Sequence, residues 1–256
     1  MPSDTLTAAL PRQRRLATLR PAPRSASPIY RDLRNDILGM RRRPGEPIAE
    51  ARIAAAYGVS RTPVHEAVLR LADEGLIDIF PQSGTYVSLI PVAALPEAGV
   101  IRKALEEATV RMAAARATAG DIAQLRAALE AQRDLCAACD RDGFHEADES
   151  FHALLAEVGG FPGFWALVEQ VKVQVDRCRR LTLPVPGQMA KVIAEHDAIV
   201  EAIAAHDREA SVEALGAHLD GLRLAIDDLR AAAPLYFTDV PTAVPTAAGR
   251  QSPSRL

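Results

Sequence analysis

Apolar residues recur at helical spacing through most of this chain. Ile29, Leu33 and Ile37 mark one face of a first predicted helix that ends near Gly39. A second runs over about 49–57, and Gly58-Val59-Ser60 then makes a tight corner. Ser60 is an N-cap residue type for a third helix, whose Pro63 stands in the first turn, where its missing N–H costs nothing. Val64, Val68 and Leu71 line one face of that helix, and Gly75 suits its left-handed stop. The period then falls to two: Leu76-Ile77-Asp78-Ile79-Phe80 and Thr85-Tyr86-Val87-Ser88-Leu89 read as strands joined by Pro81-Gln82-Ser83-Gly84. Together these elements predict a helix-turn-helix with a β-hairpin wing over 28–90.

After a linker at 91–96 only the long helical period remains, interrupted near Gly120, Gly143, Gly160 and Pro184 to Gly187. Six helices are predicted, over about 97–118, 121–139, 143–158, 162–182, 187–206 and 208–230. Joined by short turns, they make an α-bundle over 97–231. The fold class is therefore mainly α: an N-terminal winged helix-turn-helix plus a C-terminal six-helix bundle. Residues 1–27 and 232–256 carry many prolines and no apolar period, and are expected to be a flexible basic arm and a flexible tail.

Composition narrows the class. Of 256 residues 48% are hydrophobic, 25% charged and only 4% aromatic, which excludes a disordered chain and favours helix over strand. No run approaches the roughly 20 apolar residues of a bilayer span, and no apolar stretch follows the Arg-rich N-terminus, so a cytoplasmic protein without a membrane partner is expected. Cys136 and Cys139 form a C-A-A-C spacing, but no second pair follows, and with Cys178 they read as small free thiols of a reducing compartment.

Charge is unevenly divided. Residues 1–91 hold 13 Arg and no Lys against 9 Asp and Glu, whereas the remainder holds 17 basic and 24 acidic residues. A basic first third suggests a module that meets a polyanion. In a winged helix-turn-helix the third helix enters the major groove with its N-terminus nearest the base edges, so Arg61 is placed for a guanine edge or a phosphate. Thr62 and His65 share its exposed face, Ser83 and Gly84 carry the wing, and Arg52 and Arg70 are alternatives between DNA contact and solvated helix face.

Four polar residues of the second block fall on inward faces. Asp148 lies inside the stripe of Phe144, Phe151, Leu155 and Val158, with His152 one turn on; His196 sits among Val192, Ile199 and Ile203, and His218 among Leu215, Leu222 and Ile226. An unpaired buried carboxylate costs several kcal/mol. A divalent metal held by Asp148, His152, His196 and His218 compensates for that cost, and the mixed N/O set suits zinc, nickel or manganese. A hydrogen-bonded histidine core is the alternative. His145 and His206 are expected in solvent.

The run from Ile48 to Leu76, with its core G-V-S-R-T-P-V-H-E-A, closely resembles the winged helix-turn-helix of GntR-family transcriptional regulators. R-K-A-L-E at 102–106, A-D-E-S-F-H at 147–152, E-H-D-A-I at 195–199 and A-H-L at 217–219 resemble the FCD ligand-binding domain of the FadR subfamily. That likeness implies a metal on Asp148, His152, His196 and His218, a small carboxylate effector completing its shell, and Arg102 near the effector carboxylate. An i to i+4 salt bridge with Glu106 is the other reading of Arg102. The chain departs from the family pattern at His65 and Ala51, where basic residues are common, and at Phe161, which is expected to make the pocket more apolar.

The resemblance implies a homodimeric, effector-responsive transcription factor, a repressor, bound to a palindromic operator. A metal-dependent hydrolase and an acyl-CoA-responsive regulator without metal are the rivals. No general base is spaced as hydrolysis needs, and the metal set has no task in an acyl-CoA sensor.

Overall fold

The computed structural model describes residues 27–239. The predicted arm therefore lies outside the described residues, apart from Ser27. That residue caps the first helix, α1 (Pro28–Leu38), by accepting a hydrogen bond from the Tyr30 amide. Helix α2 (Glu50–Tyr57) stops at Gly58, whose φ of 64° is left-handed, and α3 (Arg61–Asp73) follows with no side-chain cap bond from Ser60. Strands β1 (Ile77–Phe80) and β2 (Gly84–Val87) pair antiparallel, Ile77 opposite Val87 and Phe80 opposite Gly84. Ile29, Leu33, Ile37, Val64, Val68 and Leu71 close the core of this unit, each less than 5% exposed.

The bundle comprises α4 (Leu95–Arg116), α5 (Ala119–Ala137), α6 (Arg141–Val158), α7 (Pro162–Val171), α8 (Val173–Thr182), α9 (Gln188–Ala204) and α10 (Arg208–Ala232). Helix α10 packs against α9 and α4, and α5 against α6 and α9. Val110, Leu125, Phe151, Leu155, Ile199 and Leu215 meet between them, where full burial of each such side chain stabilises by about 1.5–3 kcal/mol. Thr118 and Asp121 form a capping box at the start of α5, and Asp140 and Asp207 cap α6 and α10.

Two departures from the sequence expectation have physical causes. The helix predicted over 162–182 is two segments meeting at Lys172, whose backbone (φ −84°, ψ 1°) leaves the α region while its ammonium is drawn inward to Glu149 and Asp176. The stretch expected as a tail from 232 is ordered at its start. A 3₁₀ turn over Pro234–Tyr236 leads into β4 (Phe237–Thr238), which pairs parallel with β3 (Ile90–Pro91). Phe237, 7% exposed, packs on Ile90, Leu95, Val175 and Cys178, so a short apolar run among prolines seals the junction of the two units. The rest of the expected tail, 240–256, lies outside the described residues.

No helix of the described residues is long and apolar enough to cross a membrane. All three cysteines are free, Cys139 exposed and Cys178 buried, where burial pushes its thiol up to about 12.

Candidate functional site

Two groups of residues carry chemistry, one on each unit. On the winged unit, Arg61 and Thr62 open α3 and Arg52 lies on α2, all exposed. Between 28 and 91 the chain has 8 Arg and 8 Asp plus Glu, so the basic surplus of the first third resides in the arm. Within the described residues Arg34, Arg41 and Arg42 are tied to Glu74, Asp36 and Glu46. Arg52 and Arg61 have no such partner among the described residues. His65 is exposed, but its Nδ1 lies 3.2 Å from Glu50 Oε1, which joins α3 to α2. Arg70 lies over the Tyr30 ring at 4.0 Å and braces α3 on α1.

At the wing tip, Ser83 and Gly84 are exposed. The Tyr86 hydroxyl donates to the Ser83 carbonyl at 2.9 Å. Gly84 has φ 117°, and an added Cβ would meet the Tyr86 ring at 3.2 Å, so the tip needs glycine on two counts.

In the bundle, Asp148, His152, His196 and His218 converge: one ligand atom from each lies within 4.8 Å of the others, and all four residues are buried. Outer acceptors set the tautomers of His196 and His218. His196 Nδ1 is 2.9 Å from Gln132 Oε1, and the Gln132 amide is oriented by donating to the Ala147 carbonyl. His218 Nδ1 is 2.8 Å from Glu195 Oε2, and His152 Nδ1 is 2.6 Å from Glu106 Oε2. The Gln132 amide oxygen and the Glu195 carboxylate accept, so His196 Nδ1–H and His218 Nδ1–H donate outward and their Nε2 atoms turn their lone pairs inward, while His152 Nδ1 faces Glu106 without hydrogen-bond geometry. The Nε2 atoms of His196 and His218 stand 3.4 Å apart, and Asp148 Oδ1 is 3.7 Å from His196 Nε2.

Two guanidinium groups border the same centre. Arg179 donates to Asp148 Oδ2, and its Nη2 lies 3.3 Å from His218 Nε2. Arg102 Nε donates to Glu106 at 2.5 Å, with Nη2 3.3 Å from His152 Nε2. Arg102, 3% exposed, makes the Glu106 bridge inside the bundle and borders the four converging residues. Burial opposes the charge of Asp148, but Arg179 beside it holds the carboxyl well below the usual range. Burial likewise opposes the charge of Glu106, which Arg102 keeps ionised. Burial, reinforced by the neighbouring cations and imidazoles, holds His196 and His218 neutral. Beside this centre is a cavity of about 90 Å³, lined in part by Asp148, Arg179, His218, Glu195, His145 and Lys191.

Sequence reading missed Arg179, Gln132, Glu106 and Glu195 as parts of this centre. Gln132 offered a signal, since it follows Leu125 and Leu129 on an inward stripe. His145 is a correction: expected in solvent, it is 8% exposed, and burial pulls it down to about 4. His206 is exposed, as expected, and places its Nδ1 2.9 Å from the Ala114 carbonyl. Phe161 does not line the cavity; it stacks on Phe164 at 5.0 Å and is 40% exposed.

One short helix joins the two groups. Val173, at the start of α8, belongs to the core of the winged unit, and Gln174 Nε2 donates to the Gly75 carbonyl at 3.0 Å. The fully buried Arg177 donates to the Ser88 carbonyl at 2.7 Å and to Gln174 at 2.9 Å. Two residues on, Arg179 holds Asp148.

Comparison with known proteins agrees with this two-part construction. Residues 25–87 match the bacterial regulatory proteins of the gntR family, and residues 97–221 match the FCD domain. The chain is 34% identical over 202 residues to the HTH-type transcriptional repressor RspR of Escherichia coli, covering 79% of this chain and 89% of that protein. It is equally, 34%, identical over 217 residues to an HTH-type regulator from Streptomyces ambofaciens, covering 84% of this chain and 90% of that protein. Among solved structures, a GntR transcriptional regulator from a Rhodococcus species superposes with a TM-score of 0.66 at 25% identity, over 78% of this chain and 96% of that one. Escherichia coli McbR/YncC shares the fold, with a TM-score of 0.65 at 22% identity over 80% of this chain and 96% of its own. The chain belongs to the GntR family and is a DNA-binding transcriptional regulator with a C-terminal FCD domain, not an enzyme.

Proposed function

We propose that the protein is a cytoplasmic, homodimeric repressor of the FadR subfamily. Its affinity for a palindromic operator is set by a small carboxylate effector at a divalent metal held by Asp148, His152, His196 and His218. The observation that carries this reading is the convergence of Asp148 with three imidazoles, the Nε2 lone pairs of His196 and His218 being turned inward by acceptors on other helices. Two unprotonated nitrogens facing each other at 3.4 Å repel, and a cation between such donors relieves that repulsion. Zinc, nickel and manganese all accept this donor set, and the ion supplies the anchor for a carboxylate.

Arg179 and Arg102 are the guanidinium groups that receive the rest of the effector, and a cavity of about 90 Å³ suits a small organic acid rather than an acyl chain. Arg179 can hold the effector only by sharing or yielding Asp148, and it is carried on the helix whose other residues grip Gly75 and Ser88 of the winged unit. A preference of the effector for one setting of α8 therefore changes operator affinity by the same coupling energy. On the winged unit Arg61 and Thr62 read bases or backbone, Arg52 and His65 contact the operator beside them, and Ser83 and Gly84 bring the wing to the DNA. The repressor named RspR supports the sign of the regulation.

Protein purified without chelator should carry at least one divalent metal per chain, and His196→Ala should carry one equivalent fewer. If elemental analysis found none, and zinc, nickel and manganese left the melting temperature unchanged, the four residues would be a hydrogen-bonded core.

A further inference from the structure

Behind Asp148, on the neighbouring face of α6, lies a second set of donors. His145 and Glu149 are one turn apart on α6, Asp176 reaches them from α8, and one ligand atom from each lies within 4.8 Å of the other two. His145 is 8% exposed and Asp176 6%, so both are more than nine-tenths buried. His145 Nδ1, Glu149 Oε1 and Asp176 Oδ1 are all enclosed without a hydrogen-bond partner. Buried polar atoms are paired in the great majority of cases, and three orphans from one cluster ask for a shared partner.

We propose that His145, Glu149 and Asp176 form a second divalent-cation site, separate from the Asp148 centre. Lys172 does not fill this role. Its ammonium holds Glu149 through Oε2 and Asp176 through Oδ2 at 2.6 Å, which leaves the opposite oxygen of each carboxylate without a partner. Two carboxylates thus share the Lys172 ammonium. Burial and the neighbouring Glu149 push Asp176 up to about 6 even with Lys172 at hand, while burial keeps His145 a neutral imidazole able to ligate. A cation on the free side takes two carboxylate oxygens and an imidazole nitrogen, and Lys172 becomes the outer partner that orients both carboxylates. One nitrogen with two oxygens suits manganese, ferrous iron or zinc over calcium, which prefers oxygen alone.

The site spans α6 and α8, so filling it fixes the same helix that carries Arg179 to the first centre and Arg177 to the winged unit. Trp165, the one tryptophan of the chain, lies 5.3 Å from the Lys172 ammonium and stacks on His152 at 5.7 Å. Its fluorescence therefore reports on both places.

The test is a manganese titration of the full-length chain, stripped of metal, followed by Trp165 quenching and by metal counted after gel filtration. Wild type should take two equivalents. Asp176→Asn and His145→Ala, each checked for helix content by circular dichroism, should each take one, and His196→Ala should also keep one. The proposal is overturned if wild type takes a single equivalent that both His145→Ala and Asp176→Asn retain, or if those two variants still take two. A single wild-type equivalent that is lost in them and kept in His196→Ala would uphold this site and remove the metal from the Asp148 centre.

Discussion

Arg52, Arg61 and Thr62 stand in solvent on the winged unit, whereas Asp148, His152, His196 and His218 in the bundle are each 3% exposed or less. The two units hold their charged groups by opposite means. On the winged unit Arg52 and Arg61 hold their charge at the surface, where it costs little. In the bundle charge is withdrawn from water and must be paired at once, so every member of the centre is fixed by a residue from another helix. A surface reader therefore tolerates loss of one residue with its fold intact. In the buried centre, loss of one charge leaves its partner enclosed and uncompensated.

Removing one partner of the buried pair should give the largest effect. Asp148→Ala leaves the Arg179 guanidinium enclosed and uncompensated, at a cost of about 3–5 kcal/mol. Urea denaturation should show that loss, and a change below about 1 kcal/mol would mean that the centre is not the tightly paired unit described here. On the winged unit, Arg61→Ala should leave the urea midpoint in place and weaken operator binding by about 1–3 kcal/mol at fixed salt. Equal affinity of variant and wild type would remove Arg61 from the interface.

The same contrast governs what the sequence revealed. Arg61 was readable because a short motif fixes both its helix and its position on that helix. Asp148 and the three histidines were readable for the opposite reason, as polar interruptions of apolar stripes. Gln132, Glu106 and Glu195 act only through the helix opposite, and the spacing within one helix does not say which neighbour it faces. Arg177 was hidden most completely. It lies in the charge-rich run Val175-Asp176-Arg177-Cys178-Arg179-Arg180, which reads as a solvated face, yet α8 is enclosed between the bundle and the winged unit and buries several faces at once. Burial there lowers Arg177 to about 10. Phe237 was hidden in the same way, since its strand partner Ile90 lies at the far end of the bundle sequence.

Two smaller effects sharpen the comparison. Gly84→Ala forces a left-handed backbone on a residue that resists it and crowds Tyr86, so it should cost about 1–2 kcal/mol of stability and weaken operator binding through the wing. A melting temperature and an operator affinity both unchanged would show that the wing tip can relax. Arg52→Ala should do least: a slightly weaker complex for all sequences, with the slope of log affinity against log salt reduced by about 1 if it neutralises one phosphate. An unaltered slope would return Arg52 to the solvated face of α2.

In the proposed mechanism the buried centre controls the surface reader through α8. Operator affinity of the manganese-loaded, full-length chain, measured at one salt concentration across a panel of small mono- and dicarboxylic acids, tests it most directly. At least one acid should shift the affinity of wild type by about 5–150-fold, and the same acid should leave His196→Ala unmoved. Wild-type affinity that stays constant across the panel, or a shift that His196→Ala reproduces in full, would contradict the account.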